Sequence, residues 1–254
     1  MTNLIDTHAH IYLSEFENDI DKVIDNSREA GIEKIFMPNI NANSIEGMLH
    51  IEKKYKNYCV SMMGLHPCYV KDNYQDELND IKSWFDKRSF CAIGEIGIDL
   101  YWDKTYVDEQ ITAFETQINW AKDLDLPVVI HCRDSIDMTI EIIKKLQDGK
   151  LKGIFHCFSG DHDHAKKIID LNFILGIGGV VTFKNGGIDK IIPDINLNKI
   201  VLETDSPYLA PSPHRGKRNV PSNLQIIATK IAELKKCEFS EVAKTTTKNA
   251  TNIF

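Results

Sequence analysis

Apolar residues along this 254-residue chain gather into short runs separated by longer amphipathic stretches. The runs are Leu4–Ile5, Lys34–Met37, Cys59–Gly64, Ala92–Glu95, Val128–Ile130, Gly153–Phe155, Phe173–Ile177 and Lys199–Leu202. They begin about 20 to 36 residues apart, an interval that accommodates one strand and one crossover helix. Runs that are apolar throughout, instead of alternating, indicate strands covered on both faces and hence a parallel sheet.

The stretches between them supply the helices. Phe16–Ala30 repeats apolar or small residues at Phe16, Ile20, Val23, Ile24 and Ser27, and Gly31 stands where a helix would end. Asp108–Leu124 does the same with Ile111, Phe114, Ile118 and Ala121, stopping before Pro127. Ser135 is placed to cap a helix running through Ile140, Ile143 and Leu146 to Gly149. After the eighth run, a loop with Pro207, Pro211, Pro213 and Pro221 leads into a helix over Asn223–Lys236, and a last, apolar-poor helix reaches Phe254. No linker or low-complexity tract interrupts this rhythm, so residues 1–254 read as a single α/β domain, a TIM (β/α)8 barrel. An open doubly wound sheet is the alternative.

Composition narrows the possibilities. At 43% hydrophobic and 26% charged residues, the chain can bury a sizeable core, which excludes disorder and a fibrous repeat. Thirty Lys and Arg against 37 Asp and Glu leave a net charge of −7. That excludes a basic coat for nucleic acid over the whole surface but leaves a local site open. The cysteines at 59, 68, 91, 132, 157 and 237 form no CxxC pair and read as reduced, mostly buried thiols. Residues 1–5 lack the basic and apolar regions of a secretion leader, and no apolar run approaches bilayer length. A cytoplasmic location with no membrane contact is therefore expected.

Candidate chemistry lies at the ends of the runs, where barrel active sites form. The first ends in Asp6-Thr-His-Ala-His10, the fourth in Glu95, the fifth in His131, the sixth in His156 and the eighth in Glu203-Thr-Asp205. His8 and His10 are two apart, so an extended backbone turns both to one side. One strand-end histidine alone would ordinarily be a hydrogen-bonded structural residue. Four imidazoles and two carboxylates on one rim are a divalent-metal ligand set, larger than one tetrahedral ion requires.

Around this set, His66 either contacts substrate or stands behind the ligands, and Glu203 either binds a further ion or orients a ligand. Arg133 lies two residues beyond His131. His214, Arg215, Lys217 and Arg218 form a dense basic cluster after the eighth run. A solvated loop is the ordinary reading of such a cluster, but its place at the catalytic rim favours phosphate contact through Arg215 and Arg218. Gly176, Gly178, Gly179, Gly186 and Gly187 lack the spacing of a nucleotide cradle and read as turn glycines. Cys132 and Cys157 each follow a candidate ligand, and strand alternation turns them toward the helices.

The segments Asp6–His10, Gly64-Leu-His-Pro67, Gly94-Glu-Ile-Gly-Ile-Asp99, Ile130-His-Cys-Arg133, His156-Cys-Phe-Ser-Gly160, Glu203-Thr-Asp-Ser-Pro-Tyr-Leu209 and Arg215-Gly-Lys-Arg-Asn219 together resemble the TatD-type metal-dependent hydrolases and deoxyribonucleases. These belong with the amidohydrolase-like barrels, and the resemblance covers nearly the whole chain. It implies that His8, His10 and Asp205 hold one divalent ion, that His131 and His156 hold a second, and that Glu95 bridges them. It also implies a metal-activated water, oriented or deprotonated by Asp205, that cleaves DNA phosphodiesters, with exonuclease action on single strands or DNA ends.

The implied ions are Mg, Mn, Zn or Co, and four imidazoles suit zinc, manganese or cobalt better than magnesium. No obligatory protein partner is implied. The chain departs from the family at Arg218-Asn219-Val220-Pro221, where Val220 replaces the usual loop glutamate. Two other readings remain: a two-metal deacylase, lactonase or amidase, and a non-catalytic metal-bound scaffold. The scaffold is disfavoured because packing alone would place apolar residues at a barrel mouth.

Overall fold

A computed structural model describes residues 3–254, so Met1 and Thr2 of the leader reading lie outside the described residues. The parallel strands are β1 (Leu4–Asp6), β2 (Ile32–Met37), β3 (Cys59–Ser61), β4 (Ile93–Asp99), β5 (Val128–Arg133), β6 (Gly153–Phe155), β7 (Phe173–Ile177) and β8 (Ile200–Leu202). They alternate with α1 (Ile20–Glu29), α2 (Ile45–Lys54), α3 (Tyr74–Ser83), α4 (Val107–Leu124), α5 (Ile136–Leu146), α6 (His162–Asp170), the single turn α7 (Ile188–Ile191) and α8 (Leu224–Lys235). The chain closes on α9 (Phe239–Ile253).

Hydrogen bonding runs β1-β2-β3 and β4-β5-β6-β7-β8, always in parallel. Two bridges join these tracts into a closed barrel, Met63 to Ile93 and Ala9 to Ser206. The seams are tightened where the Gly94 N–H donates to the Met63 carbonyl at 3.0 Å and the Thr7 N–H to the Leu202 carbonyl at 3.0 Å. The expected TIM barrel is the observed fold.

Two cores hold it. The larger lies between strands and helices, where residues such as Phe114, Ile130, Phe155 and Ile231 are buried. The smaller fills the barrel with Ile5, Phe36, Met62, Ala92, Val129, Ile154, Ile174 and Val201, and Ala250, Ile253 and Phe254 close its lower end. There the Phe36 and Phe254 rings stack at 4.0 Å.

Several local expectations are corrected. Glu95 and His131 do not end their strands, because β4 continues to Asp99 and β5 to Arg133. Helix α1 starts at Ile20, Phe16 belonging to a separate short turn, while Gly31 has the expected positive φ of 76°. Ser135 occupies the N-cap of α5 without capping it, since its hydroxyl donates to the Ile98 carbonyl at 2.6 Å.

Candidate metal centre

At the carboxyl end of the barrel the interior changes from apolar to ionisable. Strand alternation gives the reason: Val129 and His131 share one side of β5, and His156 follows Ile154 at the same spacing. Glu95 reaches the interior from a register shift in β4 between Ile93 and Ile96, the kind of irregularity that re-aims a side chain. Just beyond it, a Cβ on Gly97 would lie 1.9 Å from the His131 carbonyl oxygen, so only glycine lets β4 and β5 approach beside the histidine.

Glu95 is the centre of the constellation, and its two oxygens face different partners. Oε2 lies 3.1 Å from His8 Nε2 and 3.4 Å from His10 Nε2. Oε1 lies 2.9 Å from His131 Nδ1, 3.2 Å from His156 Nε2 and 3.3 Å from His66 Nε2. Asp205 Oδ1 completes the first group, 3.6 Å from His10 Nε2 and 3.8 Å from His8 Nε2. The structure thus brings together all six candidate ligands, and adds His66 beside them.

The donor chemistry fits a cation. His8 Nε2 and His10 Nε2 face each other at 3.2 Å, an approach that opposed lone pairs avoid unless a proton or a cation lies between them. Three groups are arranged to hold an ion: His8, His10 and Glu95; His8, His156 and Asp205; and His66, Glu95 and His131. Burial pushes Glu95 up, but the surrounding imidazoles, His66 foremost, outweigh it and hold the carboxyl well below its usual range. Burial lowers His156, and the charges of Glu95 and Glu203 reverse this and lift it well above the ordinary value. A proton and a cation therefore compete for the same nitrogen. Burial raises Asp205 to about 6 against the pull of His156 and His10.

Residues behind the candidate ligands fix their rings. Tyr12 Oη is 3.1 Å from His10 Nδ1 and donates to the Pro38 carbonyl at 2.6 Å. Asp6 accepts from the Thr204 N–H at 2.9 Å and hydroxyl at 2.6 Å and from the His8 N–H at 3.3 Å, tying the end of β1 to that of β8. Burial lifts its carboxyl to about 8 in spite of those bonds. Glu203, fully buried, accepts from the Cys157 N–H at 2.5 Å and lies 3.2 Å from His156 Nδ1, so it stands behind His156.

Asp99, the last residue of the Gly94-Glu-Ile-Gly-Ile-Asp99 segment, joins the site although sequence reasoning does not single it out. Its Oδ2 lies 2.9 Å from His131 Nε2. Burial opposes its ionisation, but the His131 hydrogen bond prevails and holds it below the ordinary carboxylate range. A carboxylate four residues after Glu95, on an extended strand and therefore on the same side, was the available signal.

A cavity of about 1120 Å³ opens over the centre. Arg133, Arg215 and Lys217 line it. Arg218 is placed elsewhere: it forms a two-pronged ion pair with Asp19 at 2.6 and 2.8 Å, also donates to the Glu15 carbonyl, and lies over the Phe16 ring. Its charge is thereby used between the β8 loop and the segment before α1. The cysteine expectations change as well. Cys59 is buried and the other five are partly exposed. Cys132 packs on the helix-side core yet reaches the cavity, and Cys157 has a left-handed φ of 47° that breaks strand alternation and turns it inward. Gly176 is no turn residue: it lies in β7, and a Cβ there would meet the Glu203 carboxylate at 2.3 Å.

The family described as TatD related DNase has a model that matches residues 5–254. The chain belongs to the TatD-related DNase family. Among its relatives is the "Uncharacterized metal-dependent hydrolase YabD" of Bacillus subtilis, 36% identical, with 99% of this chain and 98% of that protein aligned. The "3'-5' ssDNA/RNA exonuclease TatD" of Erwinia amylovora is 28% identical over 99% of both chains. The crystal structure of the TatD homologue YJJV from Escherichia coli superposes with a TM-score of 0.93 at 26% identity, covering 100% of this chain and 98% of that one. This TatD-family member is thus a metal-dependent hydrolase by descent. Among its described residues, no helix is long and apolar enough to cross a membrane.

Proposed function

We propose that the chain hydrolyses phosphodiester bonds of DNA as an exonuclease acting on single strands or DNA ends. The observation that carries this reading is Glu95, one buried carboxylate with imidazoles on both oxygens, at the floor of a cavity lined by Arg133, Arg215 and Lys217. In this reading His8, His10 and Asp205 would hold one divalent ion and His131 and His156 a second, with Glu95 shared between them. The ions supply Lewis acidity, lowering the pKa of water toward neutrality and offsetting phosphate charge. Mg, Mn, Zn and Co are the candidates.

The chain's own residues do the rest. Asp205, the more open of the two candidate carboxylates at 14% side-chain exposure against 2% for Glu95, is placed to accept the proton of the attacking water, and burial has raised its basicity toward the working range. Arg133, Arg215 and Lys217 bind the phosphates on either side of the cut, giving a local positive field on a chain of net charge −7. The relative named as a 3'-5' ssDNA/RNA exonuclease supports a nucleic-acid substrate.

The test is to incubate purified protein with end-labelled single- and double-stranded oligonucleotides, with Mg²⁺, Mn²⁺, Co²⁺ or Zn²⁺ and a chelator control. Stepwise shortening from one end, abolished by chelator, is the expected result, and Asp205→Asn should remove it while leaving some metal bound. No cleavage with any ion overturns the reading, and so does cleavage that survives Arg215→Ala together with Arg133→Ala, as a carbonyl substrate would need neither charge.

A further inference from the structure

Six large hydrophobic side chains are exposed among the described residues, and four of them, Tyr69, Trp102, Tyr208 and Leu209, line the catalytic cavity. A fifth, Tyr101, adjoins it. Exposed apolar surface concentrated in this way marks a binding surface. Trp102 is the extreme case, 69% exposed, and metal binding gives it no task.

The Trp102 loop is pinned. Asp99 Oδ1 accepts the backbone N–H groups of Tyr101 at 3.0 Å and Trp102 at 3.2 Å, while Oδ2 of the same carboxylate holds His131. Farther along, Lys71 Nζ donates to Asp103 at 2.8 Å. Tyr101 and Trp102 pack edge to face, with centroids 4.9 Å apart and planes at 88°. The Arg133 guanidinium sits 3.8 Å from the Tyr101 centroid and 5.4 Å from that of Trp102. A large ring, a supporting ring and a cation are thus held in fixed register with the metal centre by one carboxylate.

We propose that Trp102, supported by Tyr101 and flanked by Arg133, is a stacking platform for an unpaired nucleobase adjacent to the phosphate being cut. The proposal rests on the nucleic-acid reading above and names what selects the substrate within it. Aromatic rings beside a cationic groove are the means by which proteins hold single strands without regard to sequence. The cavity's arginines complement the phosphates, and the ring receives the base. A base inside a duplex is already stacked and paired on its partner, so the platform favours single-stranded ends over blunt ones.

Wild type, Trp102→Ala and Trp102→Phe are compared on a single-stranded oligonucleotide and on one whose terminal residues are abasic. Trp102→Ala is expected to raise KM about tenfold on the normal oligonucleotide with kcat changed less than twofold, and Trp102→Phe to restore most of the loss. On the abasic oligonucleotide wild type and Trp102→Ala should be equally weak. Independently, a phosphorothioate oligonucleotide with Mg²⁺ should quench wild-type tryptophan fluorescence and leave that of Trp102→Ala unchanged.

Equal KM for all three proteins, with cleavage intact, overturns the platform and leaves the nuclease reading standing. A wild type that cleaves no oligonucleotide overturns both. A dimer that Trp102→Ala converts to monomer, with KM unchanged, shows a second copy on this surface and also overturns the platform. If Trp102→Ala fails to fold, wild-type tryptophan fluorescence decides the matter, since quenching by the normal but not the abasic oligonucleotide is expected and equal quenching, or none, overturns the platform.

Discussion

The barrel interior has two layers built by the same strands, one position of alternation apart, with opposite chemistry. Below lie Val129, Ile154, Ile174 and Val201; two residues further on stand His131, His156, Gly176 and Glu203. The lower layer is a packed hydrocarbon plug, closed by Phe254 against Phe36. The upper layer is a set of ionisable groups whose charges are satisfied by one another. Burial stabilises the first and costs the second, so the lower layer supplies the rigidity that keeps the upper one assembled. The layers also differ in how they fill space. Below, bulky residues interlock, whereas above, β7 contributes a glycine and the carboxylate of Glu203, the residue after β8, occupies the volume its side chain would have taken.

The largest way to break this contrast is Glu95→Gln, which removes the charge that gathers the imidazoles. Activity should fall by more than the about 10- to 100-fold that outer partners of a metal site cost, with metal per chain reduced and the fold retained. Metal analysis and kcat check it, and activity within tenfold of wild type would show that Glu95 does not organise the upper layer.

Ile154→Ala makes the opposite cut. It should cost about 2–5 kcal/mol in urea melts while leaving KM unchanged, because it empties the plug and spares the candidate ligands. A rise in KM without loss of stability would mean the layers are not separable in this way.

Gly176→Ala tests the junction between them. The new methyl displaces Glu203 and with it His156, at a cost of about 1–3 kcal/mol and a several-fold fall in kcat. Wild-type kcat in this variant would remove Glu203 from any role behind His156.

Arg218→Ala should do least, since this residue belongs to neither layer. The pair with Asp19 is about one-third exposed and contributes less than about 1 kcal/mol. Its hydrogen bond holds Asp19 below the ordinary value of 3.8, so the contribution is present above that pH and fades as pH falls below it. Melting temperatures of variant and wild type should therefore differ slightly at pH 7 and converge in acid, with KM unchanged throughout.

The sequence made the strands, their parallel order and the principal ionisable residues legible because each follows from periodicity: buried strands are apolar throughout, and inward positions recur every second residue. What escaped were features that break periodicity or depend on distant neighbours. Glu95 read as a strand end because the register shift that turns it inward is invisible in an apolar run. Cys157 read as facing the helices because alternation was extended past its left-handed residue. Arg218 read as a phosphate ligand because its partner Asp19 lies 199 positions away, at the other end of the chain. Gly176 reads as a turn for the same reason, the group that needs its vacancy, Glu203, following the next strand. Asp99 alone was recoverable, sharing the side of β4 that carries Glu95.

Asp99 also sets the terms on which this barrel can be re-engineered. Rim loops are the natural parts to exchange when a new substrate is wanted, since the strand walls keep most of the ligands in place. The segment 100–106 is not freely interchangeable, because it is fastened to His131 through the carboxylate that precedes it. A graft there has to carry Asp99 as its first residue and supply two backbone N–H groups at the same spacing. Otherwise the new specificity comes with an imidazole that has lost its bearing.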